Sequence, residues 1–114
     1  MDDCLFCRIV AGTIPSDTVY RDPLVTAFRD IQPQAPVHVL LVPNQHIAST
    51  NDVNEDHTEV LGHLMRMTQV VARGQGIAES GYRLVVNTGE DAMQSVAHLH
   101  VHILGGRHLG WPPG

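Results

Sequence analysis

At 114 residues, 43% of them hydrophobic, the chain is long enough to bury a core of its own as a single domain over 1–114, with no need of disulfide staples. Its 7 Lys+Arg against 12 Asp+Glu give a formal net charge of −5, a poor footprint for a polymeric nucleic acid. No stretch is apolar for long enough to span a bilayer and no basic-then-apolar leader opens the chain, so no membrane partner is expected and the chain reads as soluble and cytoplasmic.

In chain order, Asp3 is placed to cap a short helix over Cys4–Ala11, with Gly12 as its stop and Pro15 beyond. Cys4 and Cys7 allow at most one bridge, and their Cys-x-x-Cys spacing points to a metal or redox pair before a structural disulfide. Leu5, Phe6 and Ile9 are apolar neighbours on that helix, which spacing alone reads as core. Two strands, Thr18–Arg21 and Val25–Phe28, follow around an Asp22-Pro23 turn. The stretch from Asp30 to Pro36 holds two prolines and reads as loop, with Asp30 either a turn aspartate or a carboxylate free to accept two hydrogen bonds from a diol. Val37–Pro43 is so rich in aliphatics that it reads as a central strand, with His38 at its entrance.

After the polar residues Asn51–Asn54, Val60, Leu61, Leu64, Met67, Thr68, Val71 and Ala72 recur at three- and four-residue steps. That period predicts a long amphipathic helix covering one face of a sheet, weakened near Gly74 and Gly76. His57 and His63 carry no motif and read as surface or packing residues. A fourth strand is expected over Tyr82–Asn87, followed by a loop whose Asn87, Gln94 and Ser95 bring neutral donors, and whose amides suit phosphate oxygens.

The last strand, read over 94–104, carries the chemistry. His98, His100 and His102 share one parity, and Leu99, Val101 and Ile103 the other, so an extended chain points three imidazoles one way and three aliphatics the opposite way. His98 and His102 would then stand about 13 Å apart, too far for one metal with bonds of about 2 Å to collect all three rings. The central His100 is therefore the natural working group. A reference pKa of about 6.5 leaves roughly three quarters of an imidazole unprotonated at pH 7, fit to act as nucleophile or base.

The run His98-Leu99-His100-Val101-His102-Ile103-Leu104 resembles the His-x-His-x-His-x-x signature of the histidine triad family. Phe28-Arg29-Asp30-Ile31, the 33–38 segment, Val42-Pro43-Asn44-Gln45-His46, Gly62-His63-Leu64-Met65, Gly81–Asn87 and the Gly105-Gly106-Arg107 to Trp111-Pro112-Pro113-Gly114 tail fit the same pattern, so the likeness spans nearly the whole chain. The tail is similar to that of the nucleotide-binding branch that acts as purine nucleoside phosphoramidases.

The resemblance implies an α+β fold, with an antiparallel sheet of about five strands, one long and one short helix, and the sheet continued across a homodimer. It implies hydrolysis of the P–N bonds of adenosine or guanosine phosphoramidates, including lysyl and other amine adducts of AMP, through a nucleotidyl-histidine. His100 is the implied nucleophile, His102 donates to phosphate, Ser95 assists the leaving group, and His38 supports the site. Leu5, Phe6, Ile9, Phe28 and Ile31 are implied walls for the purine, and Asp30 the ribose contact. Asn87, Gln94, Ser95, His100 and His102 are the remaining nucleotide contacts, and Trp111 reaches a partner's site or merely anchors the tail. Cys4, Cys7, His46 and His98 are the implied ligands of a structural zinc, with no metal needed at phosphorus.

One departure stands out: Met93 occupies a position where the family's loop has glycine, which restricts the loop's backbone angles. Other readings stay open. They are a dinucleoside polyphosphate hydrolase or nucleotidyl transferase of the same family, a zinc hydrolase with His98 and His100 as ligands, and a noncatalytic nucleotide-binding scaffold.

Overall fold

The computed structural model describes residues 3–114. Its elements are α1 (Leu5–Ala11), β1 (Thr18–Arg21), β2 (Val25–Arg29), β3 (Val37–Pro43), α2 (Thr58–Gly74), β4 (Tyr82–Val85) and β5 (Val101–Gly105), with short 3₁₀ turns at Thr50–Asp52 and Glu55–His57. The strands form one antiparallel sheet in the order β1-β2-β3-β5-β4. This is the five-stranded, two-helix α+β architecture that the sequence implies.

Strand alternation decides what each face carries. Val25 and Ala27 of β2, Val39 and Leu41 of β3, and Val101 and Ile103 of β5 turn to α2, where they meet Val60, Leu64, Met67 and Val71 in the main core. Phe28, Leu40 and Val42 turn the other way, onto Phe6 and Ile9 of α1. β3 is thus buried on both faces, which is why it reads as an uninterrupted aliphatic run. Each fully buried Val, Leu or Ile contributes about 1.5–3 kcal/mol relative to exposure.

Several local expectations are corrected. Cys4, not Asp3, caps α1: its Sγ accepts the Cys7 amide at 3.3 Å, while Gly12 closes the helix at φ 77°. β4 stops at Val85 rather than Asn87, and the strand expected over 94–104 begins only at Val101. His63 is no passive surface residue. Its Nε2 lies 2.7 Å from Asp22 Oδ2, which also accepts from Tyr20 Oη at 2.6 Å, while Oδ1 takes the amides of Leu24 and Val25. The β1–β2 turn is thereby pinned to α2. Burial alone would raise the Asp22 carboxyl, but these donors together hold it well below the usual carboxylate range. His57 accepts the Asn54 amide in a capping box. Among the described residues, no helix is long and apolar enough to cross a membrane.

Candidate active site

β5 is short because its partner runs out. β3 pairs with β5 from Val37↔Gly105 to Leu41↔Val101, and two residues further on Pro43 has no amide to continue a ladder. The Pro43 carbonyl accepts instead from His98 Nε2 at 2.8 Å, and the Leu99 amide turns to Ile47 O. Parity survives without the ladder: Leu99, Val101 and Ile103 still enter the main core, and the three histidines still lie on the other face. That face is not wet, however. His98 is fully buried and His100 nearly so, because Phe6 of α1 packs edge-on against both rings, 6.0 and 5.1 Å between centroids.

Hydrogen bonds fix which nitrogen of each ring is free. His100 Nδ1 lies 2.7 Å from the carbonyl oxygen of His98, an atom that can only accept, so Nδ1 carries the proton and Nε2 keeps its lone pair. A second chain starts at the main chain. The Gln34 amide donates to His38 Nδ1 at 3.0 Å, which leaves the His38 proton on Nε2, 2.9 Å from His102 Nδ1. His102 Nδ1 must then accept, so the His102 proton sits on Nε2. That atom is the one buried side-chain polar atom without a partner among the described residues. The site therefore presents a lone pair on His100 beside an unsatisfied N–H on His102, ring centroids 4.9 Å apart. Burial, then the neighbouring His100 and His38, push His102 down to about 4, against a weaker upward pull from Asp30. Burial likewise lowers His38, although Asp30 Oδ2 stands 3.4 Å from its Nε2. Both rings are neutral near pH 7.

A largely apolar cavity of about 500 Å³ opens on these rings. It gathers most of the expected substrate residues: Leu5, Phe6, Ile9, Phe28, Asp30, Ile31, Ser95, His100 and His102 line it, joined by Ile14, Pro15 and Leu40, which sequence reasoning missed. Three expected contacts are not among its walls. Gln94 is spent on the loop, its amide nitrogen donating to Ala48 O and Val96 O and its oxygen accepting from the Gly89 amide. Asn87 is half-buried two residues beyond the end of β4, and Trp111 is exposed, lying against Arg83 with the guanidinium carbon 5.8 Å from the ring centroid. His38 reaches the cavity only through His102.

The four expected metal ligands do converge. Cys4 Sγ and Cys7 Sγ lie 3.3 and 3.4 Å from His98 Nδ1, Cys7 Sγ lies 3.2 Å from His46 Nδ1, and all four donor atoms fall within 4.8 Å of one another. A tetrahedral zinc with bonds of about 2.0–2.3 Å separates its ligand atoms by roughly 3.3–3.8 Å, close to these three contacts. The His98 Nε2–H bond to Pro43 O matters here, since it turns the Nδ1 lone pair toward the thiols in the tautomer that a metal takes. Burial, then the Cys4 thiol beside it, push the Cys7 thiol up to about 11 in the absence of a cation, a balance that a bound divalent ion reverses. This donor set fits a structural metal. The zinc-hydrolase alternative is not supported by the geometry, because the His98 ring is committed to the thiols, and His100 belongs to none of the ligand clusters among the described residues.

Comparison with known proteins agrees with this geometry. A HIT domain model matches residues 11–109. The chain is 50% identical over 109 residues to the purine nucleoside phosphoramidase of Escherichia coli K12, covering 96% of this chain and 92% of the relative. It is 48% identical over 112 residues to the 14 kDa zinc-binding protein of Zea mays, covering 96% and 87%. Among solved structures, a HIT family hydrolase from Legionella pneumophila Philadelphia 1 superposes with a TM-score of 0.96 at 48% identity, covering 98% of this chain and all of that one.

Proposed function

The chain belongs to the HIT domain family, whose matched relatives include hydrolases, and from that premise we propose that it hydrolyses purine nucleoside phosphoramidates through a nucleotidyl-histidine intermediate. One observation carries the reading: the His98 carbonyl holds the proton of His100 on Nδ1 and so leaves an unprotonated Nε2 on a residue that lines the apolar cavity, next to the unpartnered Nε2–H of His102.

The purine lies among Leu5, Phe6, Ile9, Phe28 and Ile31, and the ribose hydroxyls donate to Asp30, whose carboxylate retains acceptor capacity beside its bond from the Gln32 amide. His100 Nε2 attacks the α-phosphorus, an Nε2–P bond forms and the P–N bond breaks, and the departing nitrogen takes a proton from solvent by way of Ser95 Oγ. The phosphorylated ring is an imidazolium, and its Nδ1–H remains on the His98 carbonyl, which stabilises the new charge. His102 Nε2–H finds in a phosphoryl oxygen the acceptor it otherwise lacks. Water then attacks phosphorus and gives up a proton to solvent, the Nε2–P bond breaks with its electron pair returning to Nε2, AMP or GMP departs, and His100 is again the neutral Nδ1–H tautomer. His38 and the Gln34 amide are positioning groups.

Cys4, Cys7, His46 and His98 would hold a structural zinc, which when bound cross-links α1 to the segment before β5 and supplies no chemistry at phosphorus. The reading also takes the chain as one cytoplasmic catalytic domain over 1–114. It further takes the chain as a homodimer: among the described residues β4 pairs only with β5, which leaves its other edge for a second copy, and Trp111 beside Arg83 lies close to that edge. Light scattering tests the dimer.

The decisive experiment measures amine release from adenosine phosphoramidate by the wild type and by His100→Ala, with intact-mass analysis of acid-quenched enzyme. Turnover with a nucleotidyl adduct that vanishes in the variant is expected. A wild type that releases no amine refutes the proposal, and faster cleavage of a dinucleoside polyphosphate would reassign the chain within the family.

A further inference from the structure

A basic cavity of about 470 Å³ lies at the end of the sheet where β4 begins and β5 ends, and it shares no wall with the nucleotide cavity. Arg83, Arg107 and His108 line it together with Ser80, and no carboxylate is among its walls. That concentration runs against the composition. The chain has 7 permanently cationic side chains, all arginine, against 12 acidic ones, yet two of those arginines border this one opening.

Each guanidinium is held by neutral groups alone. Arg83 Nη2 donates to Gly110 O at 2.8 Å, and Arg107 donates from Nη1 to His108 O at 3.1 Å and from Nη2 to Gln34 O at 3.0 Å. Neither is in an ion pair among the described residues, although Glu79 directly precedes Ser80 in the chain. Gly106 has φ 89°, and a Cβ there would lie 2.9 Å from Pro36 Cβ, so the turn that presents Arg107 is packed in place. Two positive groups lining one opening repel each other, and bonds to carbonyls orient them without removing that charge. Both forks also carry more N–H donors than these bonds use.

We propose that this cavity binds a phosphate group, at a site separate from the nucleotide cavity and independent of the phosphoramidase reading. One guanidinium fork satisfies a carboxylate, whereas a tetrahedral phosphate takes donors from several sides. Arg83 and Arg107 supply the charge, and Ser80 Oγ and His108 add donors beside them. Arg83 also ties the site to the C-terminal tail, because the guanidinium that holds Gly110 O lies 5.8 Å from the centroid of the Trp111 ring. A phosphate drawn to Arg83 competes with both contacts, so occupancy is read at Trp111, the one tryptophan of the chain. Inorganic phosphate and a small phosphate monoester share this chemistry.

The test titrates the full chain with sodium phosphate in exchange for sodium chloride at constant ionic strength, which removes general screening. It follows ¹H–¹⁵N correlation spectra together with Trp111 fluorescence. Saturable shifts are expected at Ser80, Gly81, Gly106 and Arg107, with a matching change at Trp111, and acetate should bind several-fold more weakly. Arg107→Gln should weaken phosphate binding about tenfold, the scale of one charge-assisted hydrogen bond. Arg107→Lys keeps the charge and loses the fork, so it should weaken binding by a smaller factor, and it decides the matter if the glutamine variant does not fold. His102→Ala changes the nucleotide cavity and should leave these shifts in place. Glycerol 2-phosphate separates the two sources: tighter binding than inorganic phosphate assigns an esterified ligand, and equal or weaker binding assigns the free ion.

No saturable shift at the basic cavity overturns the proposal, as does acetate binding equal to that of phosphate, or shifts that both Arg107 variants leave unchanged. Shifts confined to residues 95–102 and abolished by His102→Ala place the phosphate in the nucleotide cavity and overturn it equally. None of these outcomes depends on whether a phosphoramidate is cleaved, so the two readings fail separately.

Discussion

Replacing His38 by alanine tests the proton chain that ends at His102. The ring is buried and makes two bonds, accepting from the Gln34 amide and donating to His102 Nδ1. Its removal strands one interior donor and one interior acceptor, at about 1–3 kcal/mol each where water does not reach them, so a loss of about 2–4 kcal/mol is expected. The effect on rate should be smaller than that of His102→Ala. Deleting His102 removes the donor outright, which for a preorganised donor to developing negative charge costs about 10²–10³ in kcat. Without His38 the ring of His102 is still there but free to exchange its proton between Nδ1 and Nε2, so about a tenfold loss is expected, below that range. Long-range ¹H–¹⁵N correlation spectra read the tautomers directly. The wild type should show His38 and His102 protonated at Nε2 and His100 at Nδ1, and His38→Ala should show a mixed His102 with His100 unchanged. If His102 stays wholly Nε2-protonated in the variant, or kcat is unaltered, the chain from the Gln34 amide does not set the donor and the reasoning is wrong.

Acid should act on the same rings. Because His102 is pushed down to about 4 against about 6.5 unfolded, its stability contribution is complete above about pH 6.5 and is lost as pH falls toward 4, on the order of 3 kcal/mol. Denaturant midpoints should follow that window, and a flat profile would contradict it. Asp22→Asn should cost about 1–3 kcal/mol at pH 7 by weakening the bonds from Tyr20 and His63. Since that carboxyl is depressed when folded, the cost should shrink as pH falls below about 4, where wild type and variant unfold alike. Purified protein should carry zinc by elemental analysis, and Cys4→Ser with Cys7→Ser should lose the metal and lower Tm without changing the His100 tautomer. Gly105→Ala places a Cβ 2.8 Å from Ile77 Cδ1 and should cost about 1–3 kcal/mol by overpacking, read from thermal unfolding.

Legibility in the sequence followed the physics of each element. β3 could be bounded from its residues because a strand buried on both faces needs an unbroken aliphatic run, and α2 because its apolar stripe repeats at the helical period. The histidine segment was half legible. Periodicity reports parity, which held from His98 to His102, but it does not report hydrogen bonding, and the ladder fails where Pro43 lacks an amide. Cys4 as a cap was hidden because thiols are not among the preferred capping side chains. The Asp22–His63 pair lies 41 positions apart with no motif to join it, and the Gln34 amide has no side-chain signature at all. The His38–His102 contact follows only once the register is known: Leu40 faces His102, which sets His38 one diagonal step away on the same face.

The same register explains why two sites of different chemistry share one short segment. His98 offers three groups, each with its own task. Its Nδ1 faces the Cys4 and Cys7 thiols, its Nε2–H closes the end of β3 at Pro43, and its main-chain carbonyl fixes the proton of His100. A cation on the first would restrain the ring, the second holds the ring against the sheet, and both limit where the third can lie. Among the described residues none of 94–100 is paired in a strand, and beside the Leu99 amide bond to Ile47 O this restraint stands in for the missing ladder. A buried imidazole in place of a β-bridge costs desolvation, which its pKa registers as a downward shift caused first by burial. What the exchange supplies is a carbonyl oxygen held 2.7 Å from His100 Nδ1, a tolerance that a freely moving loop would not keep.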